Sequence, residues 1–369
     1  METYPNFPSY IRFCFKLITV YLLVLIFSIT KSIVLPLIFA TLLAIVLLRL
    51  TAFLERKRVP RSIAIIFSLI TSLIVITGIL YFLSSQVVGF TDNMGDIQKR
   101  LGDYIQSFQN WVSTTFHISS SQQQSYFNNM LSKIEEGGYI GTTFITITQE
   151  VVVLILLPVY TFLLLYYREK IRDFLVAVFK KTRDHKVATI INQSKGMIEG
   201  YMLGLLIEMV IVAVLTSVGV MIIGVKFAIF LGVLCAILNV IPYLGILAAA
   251  IFTMFVSLGT SNDLSDLIWI SLLFLVVHNI DSNILKTIVV GSYVRINALV
   301  TIFGIIVGNA LAGLAGMFLA IPTLAILKII FDQVEDLKPW GTLLGENVKA
   351  SGESKLARQI KKIKRKISR

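Results

Sequence analysis

Charged residues are scarce in this chain. They make up 15% of its 369 residues, whereas hydrophobic residues make up 56% and mean hydropathy is +0.84. A soluble domain carries about 25% charged residues, so the shortage excludes an ordinary soluble protein and indicates a membrane protein. Repeated apolar stretches of about 20 residues predict one dominant integral domain of membrane-spanning helices in the lipid bilayer.

Cysteine and histidine are also rare. Cys14 and Cys235 both lie inside apolar runs, where each is expected to be a small packing residue. Three scattered histidines without a cysteine pair do not make a metal site. The sequence also lacks HExxH, GxSxG and a phosphate-binding glycine loop followed by lysine. We therefore expect neither an enzyme nor a bound cofactor or metal.

Basic residues outnumber acidic ones, which gives a net charge of +12. They cluster beside apolar runs rather than among stacking aromatics, a pattern that sets membrane orientation and does not suggest a nucleic-acid partner. The basic segments 49–61 and 168–186 and the tail from 355 are expected to face the cytoplasm. The more acidic stretches 86–150 and 259–266 are expected outside. This predicts a multi-pass membrane protein with both termini in the cytoplasm.

The apolar runs predict an all-α polytopic fold. Six runs have the length of a full span, and they are Ile11–Thr30, Ile33–Leu54, Ile63–Ser84, Thr148–Tyr167, Tyr201–Ile223 and Leu264–Ile280. Two further runs break at LNVIPYLG, residues 238–245, and at GNALAGLAG, residues 308–316. The basic and acidic loops fall on their expected sides of the membrane only if each broken run enters and leaves the membrane on the same side. We therefore predict two re-entrant hairpins of opposite orientation, with tight turns at the membrane surface as the alternative.

The order of these segments divides the chain into five parts. We expect three spans, then an extracytoplasmic helical subdomain, then a fourth span with a cytoplasmic amphipathic helix, then a transport core with both hairpins, and finally a basic cytoplasmic tail. Their ranges are 1–85, 86–147, 148–200, 201–335 and 336–369.

Ionisable residues inside apolar spans are the first candidates for a transport pathway, because each costs at least about 2.5–3.5 kcal/mol in the bilayer. Glu208 lies seven residues into the span that begins at Tyr201. Its carboxylate could bind a cation or exchange a proton. Equally, it could be a buried structural glutamate that is protonated or paired with backbone.

A second group of candidates lies in HNIDSNILK, residues 278–286. His278 and Asp281 are three residues apart on one helical face and could relay protons, and Asn283 follows closely. The alternative is a polar cap that ends the helix at the membrane surface, which is the simpler account of His278.

The two breaks supply the remaining candidates. An asparagine beside a helix break can bind a polar solute or satisfy freed backbone groups, and glycines allow close backbone approach. The candidates are Asn239, Pro242, Tyr243 and Gly245 in the first break, and Asn309, Gly313 and Gly316 in the second.

Four stretches resemble one known family. They are LLPVYTFLLLYYREK at 156–170, GYMLG at 200–204, LNVIPYLG, and GIIVGNALAGLAGMFLAIPTLAILKIIFD at 304–332. In this order they are similar to the AI-2E family, the autoinducer-2 exporters of bacterial inner membranes, from Tyr10 to about Glu346. The tail ILKIIFDQVEDLKPWGTLLGE looks like members of the Bacteroidetes group.

The resemblance implies a permease that assembles as a homo-oligomer, expected to be a pentamer. Family members are assigned export of the quorum-sensing signal autoinducer-2, and some relatives are described as sodium or lithium/proton antiporters. Asp281 matches a position at which the family commonly has an acid.

Three functions follow as hypotheses. The first is export of a small polar solute by alternating exposure of a site near the middle of the bilayer. The second is exchange of sodium or lithium for protons at Glu208 and Asp281. The third is a membrane scaffold without transport, which would bind a partner through the segment 86–150.

Overall fold

The computed structural model describes residues 8–92, 143–178, 184–241, 244–260, 263–290 and 296–345, with a few helical positions between 99 and 115. The expected extracytoplasmic subdomain and the tail beyond 345 thus lie largely outside the described residues. In the described ranges the α-helices are α1 (Ser9–Arg56), α2 (Arg61–Asp92), α3 (Thr143–Tyr166), α4 (Arg168–Val178), α5 (Asp184–Ile223), α6 (Ala228–Leu238), α7 (Leu244–Thr260), α8 (Ser265–Ile280), α9 (Ala298–Gln333) and α10 (Lys338–Leu344).

Two shorter helical elements complete this part of the chain. A π-helix, Asp281–Val290, continues directly from α8, and a 3-10 turn, Glu335–Leu337, precedes α10. The sole β-type pairing among the described residues is an isolated bridge between Ile296 and Gly345. The all-α prediction is confirmed.

Five helices of the described chain are long and apolar enough to cross a membrane, namely Phe13–Arg56, Arg61–Gln86, Val187–Ile223, Ser265–Leu285 and Ala298–Gln333. In addition, α3 has 24 residues, or about 36 Å of helix at 1.5 Å per residue. The hydrocarbon core is about 30 Å thick. The chain is therefore an all-α, polytopic membrane protein.

The first helix corrects one detail of the predicted topology. The two runs Ile11–Thr30 and Ile33–Leu54 are joined in α1, one helix of 48 residues that contains Pro36. The polar residues between the runs do not force a turn, since the Thr30 hydroxyl donates to the Ile26 carbonyl at 2.7 Å. The prediction that both termini lie in the cytoplasm assumes that this part of the chain crosses the membrane twice. A single crossing would place the N-terminus on the opposite side of the membrane.

The break at LNVIPYLG is confirmed as a turn between two short helices. The ring centroids of Phe230 in α6 and Phe252 in α7 lie 6.4 Å apart, so the helices pack side by side. At the turn, the backbone of Gly245 lies against the Leu238 carbonyl so closely that a β-carbon would collide with it. We call α6 and α7 together the first hairpin.

The break at GNALAGLAG also reverses the chain. Inside α9, Ala312 (φ −144°, ψ 21°) and Gly313 (φ 59°, ψ −142°) leave the helical conformation, and the positive φ favours glycine. The two arms then pack together, because a β-carbon on Gly308 or on Gly316 would strike the backbone of the other glycine. We call α9 the second hairpin. That either hairpin enters the membrane without crossing it stays a prediction.

The described chain forms two compact units. The first contains residues 1–173 and 199–290, and the second contains residues 174–198 and 291–369. The division of the sequence into five parts follows membrane topology and stays a prediction.

The first unit has two apolar cores. In one, α1, α2 and α3 bury Leu47, Ile65 and Leu165. In the other, α5 packs with the first hairpin and α8 around a core that includes Val212, Leu231 and other fully buried side chains. Close backbone contact brings α5 and α6 together, since a β-carbon on Gly232 would meet the Ala213 carbonyl.

An ion pair joins α1 to the start of α4, and a hydrogen bond joins α2 to the end of α3. Arg168 Nη2 contacts Glu55 Oε2 at 2.6 Å, and Arg61 Nη2 donates to the Leu165 carbonyl at 3.0 Å. The second bond satisfies a carbonyl that the end of α3 leaves without a helical partner. The segment that follows, α4, contains no buried residue.

The second unit holds the second hairpin and the chain that follows it. The Asn297 side chain accepts a hydrogen bond from the Leu299 backbone N–H at 2.9 Å and caps α9. The Asn297 backbone N–H donates to the Leu344 carbonyl at 2.9 Å. These bonds fix the end of α10 beside the start of α9.

The glycine contact of the second hairpin can be tested by adding one methyl group. We expect Gly316→Ala to lower the melting temperature of the purified protein, because its β-carbon meets the backbone carbonyl of Gly308, which cannot move away cheaply. Overpacking of this kind typically costs about 1–3 kcal/mol. Gly78→Ala is the control, since a β-carbon there would meet nothing within 4 Å. Equal melting temperatures for both variants would contradict the packed hairpin.

Candidate functional site

One face of α5 forms a buried stripe that includes a carboxylate. The buried positions recur every three or four residues, as one helical face requires, and they are Tyr201, Leu205, Glu208, Val212, Thr216 and Val220. Glu208 is 2% exposed and lies in the middle of this stripe. The spacing of its apolar neighbours therefore turns the carboxylate inward, toward the first hairpin and α8.

The end of α6 places an amide beside that carboxylate. Asn239 is the C-terminal cap of α6, and its backbone N–H donates to the Cys235 carbonyl at 2.8 Å. Its side chain is 3% exposed, and Nδ2 donates to Glu208 Oε1 at 3.1 Å. The break in the apolar run thus brings Asn239 into contact with Glu208.

The end of α8 adds a second carboxylate. Asp281 is fully buried and is the first residue of the π-helix, a rare form that is frequent at functional sites. Asn239 Nδ2 donates to Asp281 Oδ1 at 3.3 Å. The three side chains, which we call the Glu208–Asn239–Asp281 cluster, come from three separate elements of the first unit.

The hydrogen bonding of this cluster is unbalanced. The amide of Asn239 has two N–H hydrogens, and it directs them toward two different carboxylates. Its carbonyl oxygen, Oδ1, has no hydrogen-bond partner among the described residues. Two ionised carboxylates in an apolar interior repel each other and lose hydration, and one neutral amide does not cancel their charge.

Apolar and weakly polar side chains surround the cluster. Ile246 and Val277 are almost fully buried in the same core. The Thr216 hydroxyl donates to Cys235 Sγ at 3.7 Å, which supports the expectation that Cys235 is a packing residue. Tyr201 and Cys235 lie within electrostatic range of Glu208 and Asp281, respectively.

The other candidates of the first unit have different places. Gly245 is buried at the start of α7, His278 is half-buried, and Asn283 is exposed, with its amide donating to the Asn279 carbonyl at 3.1 Å. Pro242 and Tyr243 lie outside the described residues. The predicted relay between His278 and Asp281 stays a prediction, whereas the structure joins Asp281 to Asn239.

The candidates of the second unit lie at or near the tip of the second hairpin. Asn309 and Gly313 are exposed, and Gly316 is buried against Gly308. The expectation that both hairpins contribute to one site near the middle of the bilayer stays a prediction.

Two features of the site were not predicted from the sequence. The first is the π-helix at Asp281, for which the sequence offers no breaker. The second is the buried hydroxyl of Thr216, although its position eight residues after Glu208 places it on the same helical face. Among the described residues, no group of three or more His, Cys, Asp or Glu side chains could hold a metal ion.

Comparison with known proteins identifies the family that the chain resembles. Residues 17–336 match the family described as AI-2E family transporter. The Bacillus subtilis (strain 168) protein named "Putative transport protein YueF" is 24% identical over 311 residues, covering 80% of this chain and 82% of that protein. The Escherichia coli (strain K12) protein named "Putative transport protein YhhT" is 23% identical over 317 residues, covering 85% and 88%.

Removal of the bridging amide should destabilise the protein. We expect Asn239→Ala to lower the melting temperature by several degrees, because hydrogen bonds to charged groups contribute about 1.5–3 kcal/mol each. Asn279→Ala is the matched control, since this exposed amide on α8 donates only to its own helix, at the Leu275 carbonyl. If both variants have the same melting temperature as the wild-type protein, Asn239 does not hold the carboxylates as described.

Proposed function

Because the chain belongs to the AI-2E transporter family and is a membrane transport protein, we propose that it is a permease that exports a small polar solute. The names of its relatives point to transport rather than catalysis. We further propose that it resides in a bacterial inner membrane and works as a homo-oligomer, expected to be a pentamer.

The Glu208–Asn239–Asp281 cluster is the observation that carries this proposal. A core built for stability alone would favour apolar side chains here, since a buried charge is stabilised only by close partners. Ionisable side chains inside membrane spans commonly mark the path of a solute or ion. Glu208 and Asp281 also lie on elements that are far apart in the sequence and meet at the end of the first hairpin. We therefore assign all three side chains to the transport pathway.

Movement of the first hairpin would change the exposure of this pathway. Asn239 lies at its turn and contacts side chains on both neighbouring elements, so displacement of α6 would separate the amide from both carboxylates. Backbone groups at a helix break must be enclosed by protein or line a wet cavity, which suits the wall of a binding site. The second hairpin, with Asn309, Gly313 and Gly316 at or near its tip, is a separate candidate for lining a transport pathway, and loop charge predicts the opposite orientation for it.

Autoinducer-2 or a related signal molecule is the first candidate solute, on the strength of the family's assignment. Hydroxyl groups of such a small polar molecule could donate to the carboxylates and to Asn239 Oδ1. Such a donor would satisfy Asn239 Oδ1, which has no hydrogen-bond partner among the described residues.

Sodium or lithium/proton exchange is the second candidate function. The pair of buried carboxylates favours it, since such a pair suits a cation or a proton as well as a solute hydroxyl. The scaffold hypothesis would require the opposite behaviour: the cluster should then tolerate alanine without functional loss, whereas the segment 86–150 should not.

Efflux measured across everted membrane vesicles tests the main proposal. We expect vesicles that contain the wild-type chain to accumulate at least one solute from a panel of autoinducer-2 and small polar metabolites. Glu208→Gln should reduce that uptake about tenfold or more, which corresponds to about 1.4 kcal/mol of lost interaction. Glu199→Gln is the control, because Glu199 lies on the same helix but pairs with the exposed Arg49.

Normal uptake in Glu208→Gln would remove Glu208 from the solute pathway. A pH-sensitive dye inside proteoliposomes separates the second candidate from the first. Exchange predicts proton movement that depends on sodium or lithium and disappears in Glu208→Gln, whereas solute export alone predicts none.

A further inference from the structure

We propose that the turn between α1 and α2, together with the first residues of α4, forms a binding surface for the headgroups of anionic phospholipids. We call it the headgroup surface, and its exposed basic side chains are Arg56, Lys57, Arg58 and Lys170. This binding does not depend on the proposed solute pathway, because it uses none of the residues assigned to that pathway.

Two ion pairs join the segments that form the headgroup surface. Arg168 Nη2 at the start of α4 lies 2.6 Å from Glu55 Oε2 near the end of α1. Arg61 Nη1 at the start of α2 lies 3.5 Å from Glu169 Oε1 in α4. The turn after α1 and the start of α4 are therefore neighbours, and their remaining charges act on the same ligand.

The headgroup surface has an excess of positive charge. Residues 55–61 and 168–173 contain seven basic and three acidic side chains, which leaves a net charge of +4. Every one of the three acids contacts an arginine, and the third pair joins Asp173 Oδ1 to Arg172 Nη2 at 3.0 Å. The four basic side chains of the headgroup surface form no ion pair within the described part of the chain. A phosphate group of a lipid has the complementary charge.

Aromatic rings place two of these charges at the membrane boundary. Lys57 Nζ lies 4.6 Å from the centroid of the Phe53 ring, and Lys170 Nζ lies 5.9 Å from that of the Tyr167 ring. Both rings are exposed, and they lie at the ends of the apolar helices α1 and α3. Aromatic side chains of this kind are enriched where the hydrocarbon meets the headgroups. The position of the charges therefore favours a lipid over a soluble acidic partner.

The charges of α4 are arranged as in a helix that lies on a membrane. This helix contains no buried residue. Its exposed apolar side chains recur three and four positions apart and include Ile171, Phe174 and Leu175. At 100° per residue, Glu169 and Asp173 lie on the opposite side of the helix, whereas Lys170 and Arg172 border the apolar face. Such borders allow basic side chains to reach headgroups while apolar side chains contact acyl chains.

The backbone at Arg58 indicates a role for its side chain. Arg58 has a φ of 66°, and its N–H donates to the Glu55 carbonyl at 2.9 Å just after α1. Glycine is the usual residue in this left-handed conformation after a helix, because it has no β-carbon. Backbone strain of this kind is a reason to look for a function. Orientation of the chain by basic loops does not explain it, since a basic residue at an unstrained position nearby would serve equally.

Melting of the purified full-length protein in a neutral detergent tests the inference. Phosphatidylglycerol or phosphatidylcholine would be added in mixed micelles, and the rise in melting temperature would give an apparent Kd for each lipid. We expect phosphatidylglycerol to stabilise the wild-type protein at lower concentrations than phosphatidylcholine. Additional sodium chloride should weaken this effect, because salt screens exposed charges. Inorganic phosphate and polyglutamate serve as probes for a free anion and for a soluble acidic partner.

Arg58→Gly separates lipid binding from the structural role of the turn. Glycine suits the positive φ, so the melting temperature without lipid should be equal to or higher than that of the wild-type protein. The apparent Kd for phosphatidylglycerol should nevertheless rise about fivefold, as expected for one basic side chain near a charged membrane. Lys57→Gln should raise it by a similar factor. Lys226→Gln is the matched control, because Lys226 is an exposed lysine in the turn between α5 and α6.

Three results would overturn the inference. The first is equal stabilisation by the two lipids. The second is stabilisation by inorganic phosphate or by polyglutamate as strong as that by phosphatidylglycerol, which would identify a free anion or a soluble acidic partner as the ligand. The third is a lower melting temperature of Arg58→Gly without lipid, together with an unchanged apparent Kd in both Arg58→Gly and Lys57→Gln. That outcome would make the basic turn a purely structural cap of α1.

Discussion

The two hydrogen bonds from Asn239 to Glu208 and Asp281 are the interaction on which this account depends. Each carboxylate would be strongly destabilising if it were alone in the apolar core, because a buried charge without a partner loses its hydration and gains nothing in return. The single amide holds both in place without neutralising them. Other features of the first unit, from the buried stripe of α5 to the π-helix after α8, bring these three side chains together.

The first break has a physical reason in the same site. The backbone groups of an uninterrupted span are hydrogen-bonded within the helix and offer a polar molecule little to bind. A break exposes backbone groups and directs a side chain across the helix axis. The first break ends α6 at Asn239 and returns the chain through α7. The second reverses α9 at Gly313, where the positive φ favours glycine, and the backbone contact between Gly308 and Gly316 leaves no room for a side chain at those two positions.

Much of this arrangement follows from the sequence, but the contact between the three side chains does not. Glu208 and Asp281 could be selected because charge is rare in apolar runs, and Asn239 because it precedes Pro242 in a broken one. No rule of spacing shows that residues 208, 239 and 281 touch, since their contact depends on packing between helices. The two spans predicted on either side of Thr30 form one continuous helix, in which the Thr30 hydroxyl bonds to the Ile26 carbonyl. Asn283 looked similar to Asn239 in the sequence, but the structure places it on an exposed face.

The central claim is that the turn of the first hairpin lines a pathway that opens to both sides of the membrane. Site-directed labelling tests it most directly, with a cysteine at Tyr243, the residue that precedes α7 in the sequence, in a chain that carries Cys14→Ser and Cys235→Ala. A membrane-impermeant thiol reagent would be added to intact cells and to everted vesicles, with and without a transported solute or sodium. The account predicts labelling from both sides. The solute or sodium should raise the labelling rate from one side of the membrane and lower it from the other. Labelling from one side only, under every condition, would contradict it.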